Sequence, residues 1–156
     1  MPVGFCGHNK RVRVGRMEAN CRVTSSVLRK LLAGARRDPA HECCGLLAGR
    51  AGEITTIFAA QNSLSSSKAY EIAPQELFAI FRKIRAENLE HLGIYHSHPQ
   101  TENIPSPKDI AYAYYPDAIY FIISPQADAP KPIRAFRIRE GSVTELLIEE
   151  VFESRV

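Results

Sequence analysis

The spacing of apolar residues switches repeatedly between a helical and a strand period along this chain, and this switching constrains the fold more than any other feature. Val27, Leu31 and Ala35 recur at helical spacing, which predicts a first helix. The helix should begin among the capping residues at 24–26 and end before Asp38-Pro39. The residues that follow lose the helical period and become continuously apolar or β-branched, which predicts strands.

Strand patterns and two further helix patterns fill the rest of the chain. Residues 43–48 form a continuous apolar run, and a turn at 49–52 leads into a β-branched run over 53–60. Pro74 is well placed at the first turn of a second helix. The prediction is an α/β single domain with a mixed β-sheet and about three helices. The remaining predicted elements are strands at 69–72 and 91–98, a short helix at 107–115, and strands at 118–124, 133–139 and 143–149.

Length and composition are those of a globular domain rather than a membrane protein. With 156 residues, of which 45% are hydrophobic, the chain can bury a substantial core. No apolar run approaches the roughly 18 residues that span a bilayer, and no apolar signal-peptide segment opens the chain. We therefore expect a cytoplasmic protein with no membrane partner.

The amino-terminal residues differ from the rest in pattern and in charge. Residues 1–19 keep neither period for long, so we expect a disordered leader over 1–19 and a folded domain over 20–156. Met17 is a possible alternative start, and we expect residues 1–16 to be dispensable. They carry four basic side chains and no acidic one, whereas the whole chain has a net charge of +3. The remainder is therefore close to neutral, and we expect no nucleic-acid partner.

Two histidines separated by one residue give the strongest indication of a chemical site. His96 and His98 alternate with Tyr95 and Ser97, so the strand period places both imidazoles on one face. Catalytic zinc sites combine such nitrogens with a third protein ligand and an open position for water. A lone histidine would more often be a hydrogen-bonded core residue, but that alternative is weaker for a pair.

Asp109 is the candidate third ligand. The tetrapeptide Ser106-Pro107-Lys108-Asp109 also has a purely structural interpretation, in which the serine caps a helix, the proline follows, and the aspartate faces the positive helix end. The two interpretations are compatible, because a capped turn would hold both Asp109 and the Ser106 hydroxyl rigidly.

These residues stand at fixed offsets that resemble the JAMM motif of MPN+ domain proteins, His-x-His-x(7)-Ser-x-x-Asp. The family also has a glutamate on an early strand, just before a Cys-Gly-apolar-apolar segment. Glu42 is the matching acid, followed by Cys-Cys-Gly-Leu-Leu at 43–47, and the resemblance runs over about residues 21–149. The chain matches the motif at every defined position, with His96-Ser97-His98, seven residues at 99–105, and Ser106-x-x-Asp109.

The resemblance implies a fold and a set of catalytic roles. The fold would be the compact JAMM domain, related to the cytidine deaminase-like architecture. A Zn²⁺ cofactor would be held by His96, His98 and Asp109. Glu42 would act as the general base toward the attacking water and then deliver the proton to the leaving amine. Ser106 would donate a hydrogen bond to the oxyanion of the tetrahedral intermediate.

The resemblance also implies a reaction and a partner. The reaction would be zinc-dependent hydrolysis of a peptide or isopeptide bond after the C-terminal glycines of a ubiquitin-like protein. The chain is close to a minimal domain, so it is similar to small stand-alone prokaryotic members, which are linked to sulfur-carrier proteins of the ubiquitin fold. The glycine tail would lie extended along a strand edge near the zinc.

Two alternatives within the family stay open. Non-catalytic MPN scaffolds that bind ubiquitin-like proteins lose metal ligands, whereas this chain has the complete set. A DNA-repair-associated branch tends to have Asn between the histidines, where this chain has Ser97. Other motifs fit less well. A His-Glu-x-x-His site would need a histidine at Gly45, and thiols in an apolar strand, as at Cys43 and Cys44, are usually inert.

Overall fold

The computed structural model describes residues 14–153, with the backbone alone described for residues 14–19. None of the helices in this range is long and apolar enough to cross a membrane. The elements are β1 Val14–Thr24, α1 Ser25–Arg37, β2 Cys44–Arg50, β3 Glu53–Ala60, α2 Pro74–Ala86, β4 Glu90–Ser97, α3 Pro107–Ala111, β5 Ile119–Ile123, β6 Ile133–Arg139 and β7 Ser142–Val151.

The strands form one mixed sheet that closes into a barrel in the order β1-β3-β2-β4-β5-β6-β7. Among the strands of residues 14–153, three pairings are parallel, β1 with β3, β1 with β7, and β4 with β5, and the others are antiparallel. The predicted α/β domain with a mixed sheet is confirmed. Closure was not predicted, because it depends on the pairing of β1 with β7 at opposite ends of the described chain.

The strand alternation divides the core into two apolar clusters. Leu47 belongs to the cluster that packs on α1, and its neighbour Leu46 belongs to the cluster that packs on α2. Cys43 and Cys44 divide in the same way, so these neighbouring side chains point to opposite faces of the sheet. Since Cys44 is directly opposite His96 in the ladder, the histidine lies on the α2 side of the sheet.

Strand β1 occupies sequence that we expected to belong to the leader. Residues 1–13 of that segment lie outside the described residues, but residues 14–19 form the first half of β1, contrary to the expectation. The backbone pairs with β7 from Val14↔Val143 to Thr24↔Val151. Among the described side chains of β1, Cys21 and Val23 are buried and Arg22 between them is exposed, which is a short alternation, and the pairing is non-local, so the sequence signal is weak. The dispensability of residues 1–16 stays a prediction.

Two other predicted elements differ from the structure. Residues 69–72 form no strand, because the side chain of Asn62, rather than a neighbouring strand, satisfies their backbone at Ala69 and Glu71. Helix α3 ends at Ala111 instead of 115. The N–H of Tyr115 donates to the hydroxyl of Tyr120, at 3.0 Å, instead of a helical carbonyl.

Candidate metal centre and catalytic site

The end of β4, Glu42 two residues before β2, and the first turn of α3 meet at one edge of the barrel. Strand β4 carries His96, and His98 follows one residue after the strand ends. Both histidine side chains are buried, with 2% and 5% of their surface exposed, and Asp109 is 12% exposed. The structure thus brings together the three side chains that the sequence predicted as metal ligands.

Three potential ligand atoms form a nearly equilateral triangle. The two Nε2 atoms of His96 and His98 lie 3.0 Å apart, and Asp109 Oδ2 lies 3.2 Å from the first and 3.1 Å from the second. Ligand atoms about 2.0–2.1 Å from a tetrahedral zinc are separated by roughly 3.3 Å. The spacing therefore fits three corners of such a tetrahedron.

The hydrogen bond at the far side of His98 indicates that this triangle fits a cation. His98 Nδ1 lies 2.9 Å from the carbonyl oxygen of Glu102, which can only accept, so Nδ1 must carry the proton. In a neutral His98 the Nε2 atom is then a lone-pair acceptor, 3.1 Å from a carboxylate oxygen that is also an acceptor. Two acceptors at that distance require a positive charge between them, either a proton or a metal ion.

A capping box orients Asp109 toward the histidines. The N–H of Asp109 donates to Ser106 Oγ at 3.1 Å, and the N–H of Ser106 donates to Asp109 Oδ2 at 2.9 Å. Burial alone would raise the pKa of Asp109, but hydrogen bonds from His96 and His98 hold it well below its ordinary value. Asp109 is therefore a carboxylate, and capping coexists with a ligand position, as the tetrapeptide allowed.

Glu42 is a buried carboxyl group without a local partner. It is 5% exposed, and its Oε2 atom has no hydrogen-bond partner among the described residues. Burial raises the pKa of Glu42 to about 7, and the charges of His98 and Asp109 are close enough to shift it further in opposite directions. A carboxyl group with a pKa near neutrality is suited to accept and return a proton at physiological pH.

Hydrogen bonds to the backbone of Glu42 and Cys43 fix the position from which the Glu42 side chain extends. The N–H of Glu42 donates to the carbonyl of Ser66 at 2.8 Å, and its own carbonyl accepts from Asn62 Nδ2 at 3.1 Å. The next N–H, that of Cys43, donates to the hydroxyl of Ser97 at 2.9 Å. Ser97, which stands between His96 and His98 in the sequence, is fully buried. Its bond to Cys43 therefore links the residue after Glu42 to β4, the strand that carries His96.

A cavity of about 550 Å³ opens beside Asp109. Its wall is rich in aromatic rings and runs from the 64–72 segment to the residues after α3. Tyr112 and Tyr114 are 59% and 69% exposed, so the aromatic surface continues to the outside of the protein. The principal rings that line it are Tyr70, Tyr112, Tyr114, Tyr115 and Tyr120.

Sequence reasoning missed the residues that support the site rather than form it. Asn62, Tyr70 and Ser97 were not predicted as functional residues, and neither was the carbonyl of Glu102. Ser97 occupies the variable position of the motif, Tyr70 lies in the segment predicted as a strand at 69–72, and Asn62 lies between two predicted strands. The one local sign that the segment at 62–65 is ordered was Asn62 itself, because asparagine favours a turn in which its side chain accepts from the N–H two residues on, here that of Leu64 at 3.1 Å.

Comparison with known proteins agrees with the fold. Residues 24–139 match the family described as prokaryotic homologs of the JAB domain. The desampylase of Haloferax volcanii is 36% identical over 103 residues, which cover 64% of this chain and 74% of the relative. The CysO-cysteine peptidase of Mycobacterium tuberculosis is 32% identical over 125 residues, covering 79% of this chain and 86% of the relative.

The solved structures include a similar small domain. The solution structure of a Desulfitobacterium hafniense protein superposes with a TM-score of 0.75 at 30% identity, covering 87% of this chain and 94% of that one. The fold and the motif define a JAMM-type hydrolase with a small JAMM/MPN domain. The chain belongs to the family of prokaryotic homologs of the JAB domain.

Proposed function

We propose that this chain is a zinc-dependent peptidase that hydrolyses the peptide or isopeptide bond after the C-terminal glycines of a ubiquitin-like sulfur-carrier protein. The observation that carries the proposal is the triangle of His96 Nε2, His98 Nε2 and Asp109 Oδ2, with 3.0–3.2 Å sides, beside a buried Glu42. Two imidazoles and one carboxylate are a donor set that zinc prefers in catalytic sites.

The residues around the triangle supply the remaining chemistry. A bound zinc ion would provide Lewis acidity that lowers the pKa of water into the neutral range. Glu42 would take a proton from the attacking water and pass it to the leaving amine. The Ser106 hydroxyl accepts from the N–H of Asp109, so its own hydrogen is available to donate to the carbonyl oxygen as negative charge develops there.

The names of the relatives support the class of substrate. They are a desampylase and a CysO-cysteine peptidase, and each is similar over at least 74% of its own length. These names indicate enzymes that cleave conjugates of ubiquitin-like or sulfur-carrier proteins. We extend this substrate class to the present chain.

The segment around Tyr70, which lines the cavity, offers a place for the extended tail. The carbonyl of Ala69 and the N–H of Glu71 both bond to the side chain of Asn62, an alternation typical of extended chain. In such an alternation the N–H and C=O of Tyr70, which lies between these two residues, would face away from Asn62. A glycine tail could pair with them by strand addition, and it could approach closely because it lacks Cβ atoms.

The metal assignment is tested by zinc analysis of the purified full chain. We expect one zinc ion per chain, retained by Glu42→Gln and lost from His96→Ala. Glu42→Gln should also lose peptidase activity, because an amide cannot accept the proton. If Glu42→Gln loses zinc as completely as His96→Ala, Glu42 is a ligand and the assigned role is wrong.

The substrate assignment is tested by a kinetic comparison with the same enzyme preparation. One substrate is a linear fusion after the Gly-Gly tail of a sulfur-carrier protein, and the other is isopeptide-linked diubiquitin. The fusion should have the higher kcat/KM, since selecting a ubiquitin linkage requires surface that grips a second ubiquitin. A higher kcat/KM for diubiquitin would overturn the substrate class and leave the metal site intact. Glu42→Gln serves as the inactive control for both.

A further inference from the structure

The two histidines of the metal centre are supported differently. His98 Nδ1 donates to the carbonyl of Glu102 at 2.9 Å, which fixes both its tautomer and its ring orientation. His96 Nδ1 is buried and has no hydrogen-bond partner among the described residues. Metal-binding histidines almost always use their second nitrogen in such a bond. The orientation of His96 must therefore be held by something else.

Tyr70 provides the contact that His96 otherwise lacks. The two rings are stacked, with centroids 4.6 Å apart and planes inclined by 22°. In this arrangement, tilting the imidazole about its Cβ–Cγ bond would drive its edge into the tyrosine ring. The stacking also leaves Nε2 free in the plane of the imidazole, facing His98 and Asp109.

The position of Tyr70 is itself held on both sides. Asn62 accepts from the N–H of Glu71 at 3.2 Å and donates to the carbonyl of Ala69 at 2.9 Å, so one amide clamps the two neighbours of Tyr70. The hydroxyl of Ser63 donates to the carbonyl of Glu71 at 2.9 Å. The backbone on both sides of Tyr70 is thus fixed, and this holds the tyrosine ring in position beside His96.

We propose that Tyr70 is a positioning residue for the metal centre, and that its stacked ring replaces the missing hydrogen bond in orienting His96 toward the metal. This inference rests on the proposed function, because it requires that the triangle binds zinc. The aromatic plane carries the effect, and the hydroxyl is not needed. Asn62 contributes by holding the backbone on either side of the ring.

The test is the zinc dissociation constant of the full chain, measured by chelator competition. Loss of a supporting contact to a metal ligand typically weakens metal binding by about 10–100-fold. We expect a loss in that range for Tyr70→Ala and for Tyr70→Leu, which keeps apolar bulk but not the plane. Tyr70→Phe should stay within about threefold of the wild type, well below that range of loss. The matched control is Tyr112→Ala, which removes another tyrosine of the same cavity wall.

The variants separate the possible outcomes. The thermal midpoint of each metal-free variant reports folding separately from metal affinity, and Tyr70→Leu and Tyr70→Phe decide the question if Tyr70→Ala does not fold. Wild-type affinity in Tyr70→Leu, or a loss in Tyr70→Phe as large as in Tyr70→Leu, would overturn the proposal. If the wild type itself binds no zinc, the proposed function fails and this inference fails with it. If the wild type binds zinc but the Tyr70 variants do not show the expected changes in zinc affinity, this inference fails and the proposed function stands.

Discussion

Glu42→Gln should stabilise the metal-free protein at neutral and alkaline pH, although it removes the proposed base. Burial raises the pKa of the Glu42 carboxyl from 4.5 to about 7. The unfolded chain keeps the ordinary pKa, so the folded protein binds the proton more tightly. The contribution of Glu42 to the free energy of unfolding of the wild type therefore falls as the pH rises from 4.5 to about 7 and levels off above that range. Glutamine has no such dependence.

The size of this effect follows from the pKa difference. Each tenfold change in proton affinity is worth about 1.4 kcal/mol, so the change in the pKa of Glu42 sets an upper limit of roughly 3 kcal/mol above neutral pH. Relaxation and water penetration reduce the cost of real buried charges, so we expect about 1–3 kcal/mol. For a domain of this size that corresponds to roughly 2–12 °C in Tm.

The assay is urea unfolding of metal-free wild type and Glu42→Gln at about pH 4 and about pH 8, on either side of the transition. At each pH, the free energy of unfolding of the wild type is subtracted from that of Glu42→Gln. The informative quantity is how much this difference changes between the two pH values, because any pH-independent cost of a buried amide then cancels. Glu149→Gln, on the exposed side of β7, is the matched control and should show no such change. An advantage of Glu42→Gln that is equal at both pH values, or that becomes a loss at the higher pH, would refute the desolvation argument.

Two other substitutions test the framework around the site. Ser97→Ala should destabilise the fold by about 1–3 kcal/mol in urea unfolding, because the N–H of Cys43 loses its acceptor. In a kinetic assay of the same variant, kcat should fall by a larger factor than KM changes. An unchanged stability would mean that this bond is replaced by solvent. Gly45→Ala should cost at least about 2 kcal/mol, because its Cβ would lie 2.7 Å from Tyr95 Cζ in a packed barrel. Gly34→Ala, with nothing within 4 Å of the added methyl, should instead add up to about 1 kcal/mol. A loss in both would contradict the steric reasoning.

Local signals predicted most of the elements but not always what stabilises them. Helix α1 begins at Ser25, as the capping residues indicated. The side chain of Thr24 makes no capping bond, however, and the N–H of Ser26 donates to the carboxylate of Glu153 at 3.1 Å. A cap supplied from the far end of the chain leaves no local sequence pattern. Strand β1 was missed for the same reason, since its partner β7 lies at the other end of the fold.

The sequence by itself determined which chemical groups are available and at what spacing. His96 and His98 lie on one face because strand period is a local property, and Ser106 and Asp109 share a capped turn because capping is local as well. The convergence of these two segments with Glu42, and the resulting desolvation of that carboxyl group, were decided by the tertiary structure. So were the stacking of Tyr70 on His96 and the clamp of Asn62 around it. Those features depend on contacts between distant segments and on the exclusion of water from them, and neither property is encoded in residue spacing.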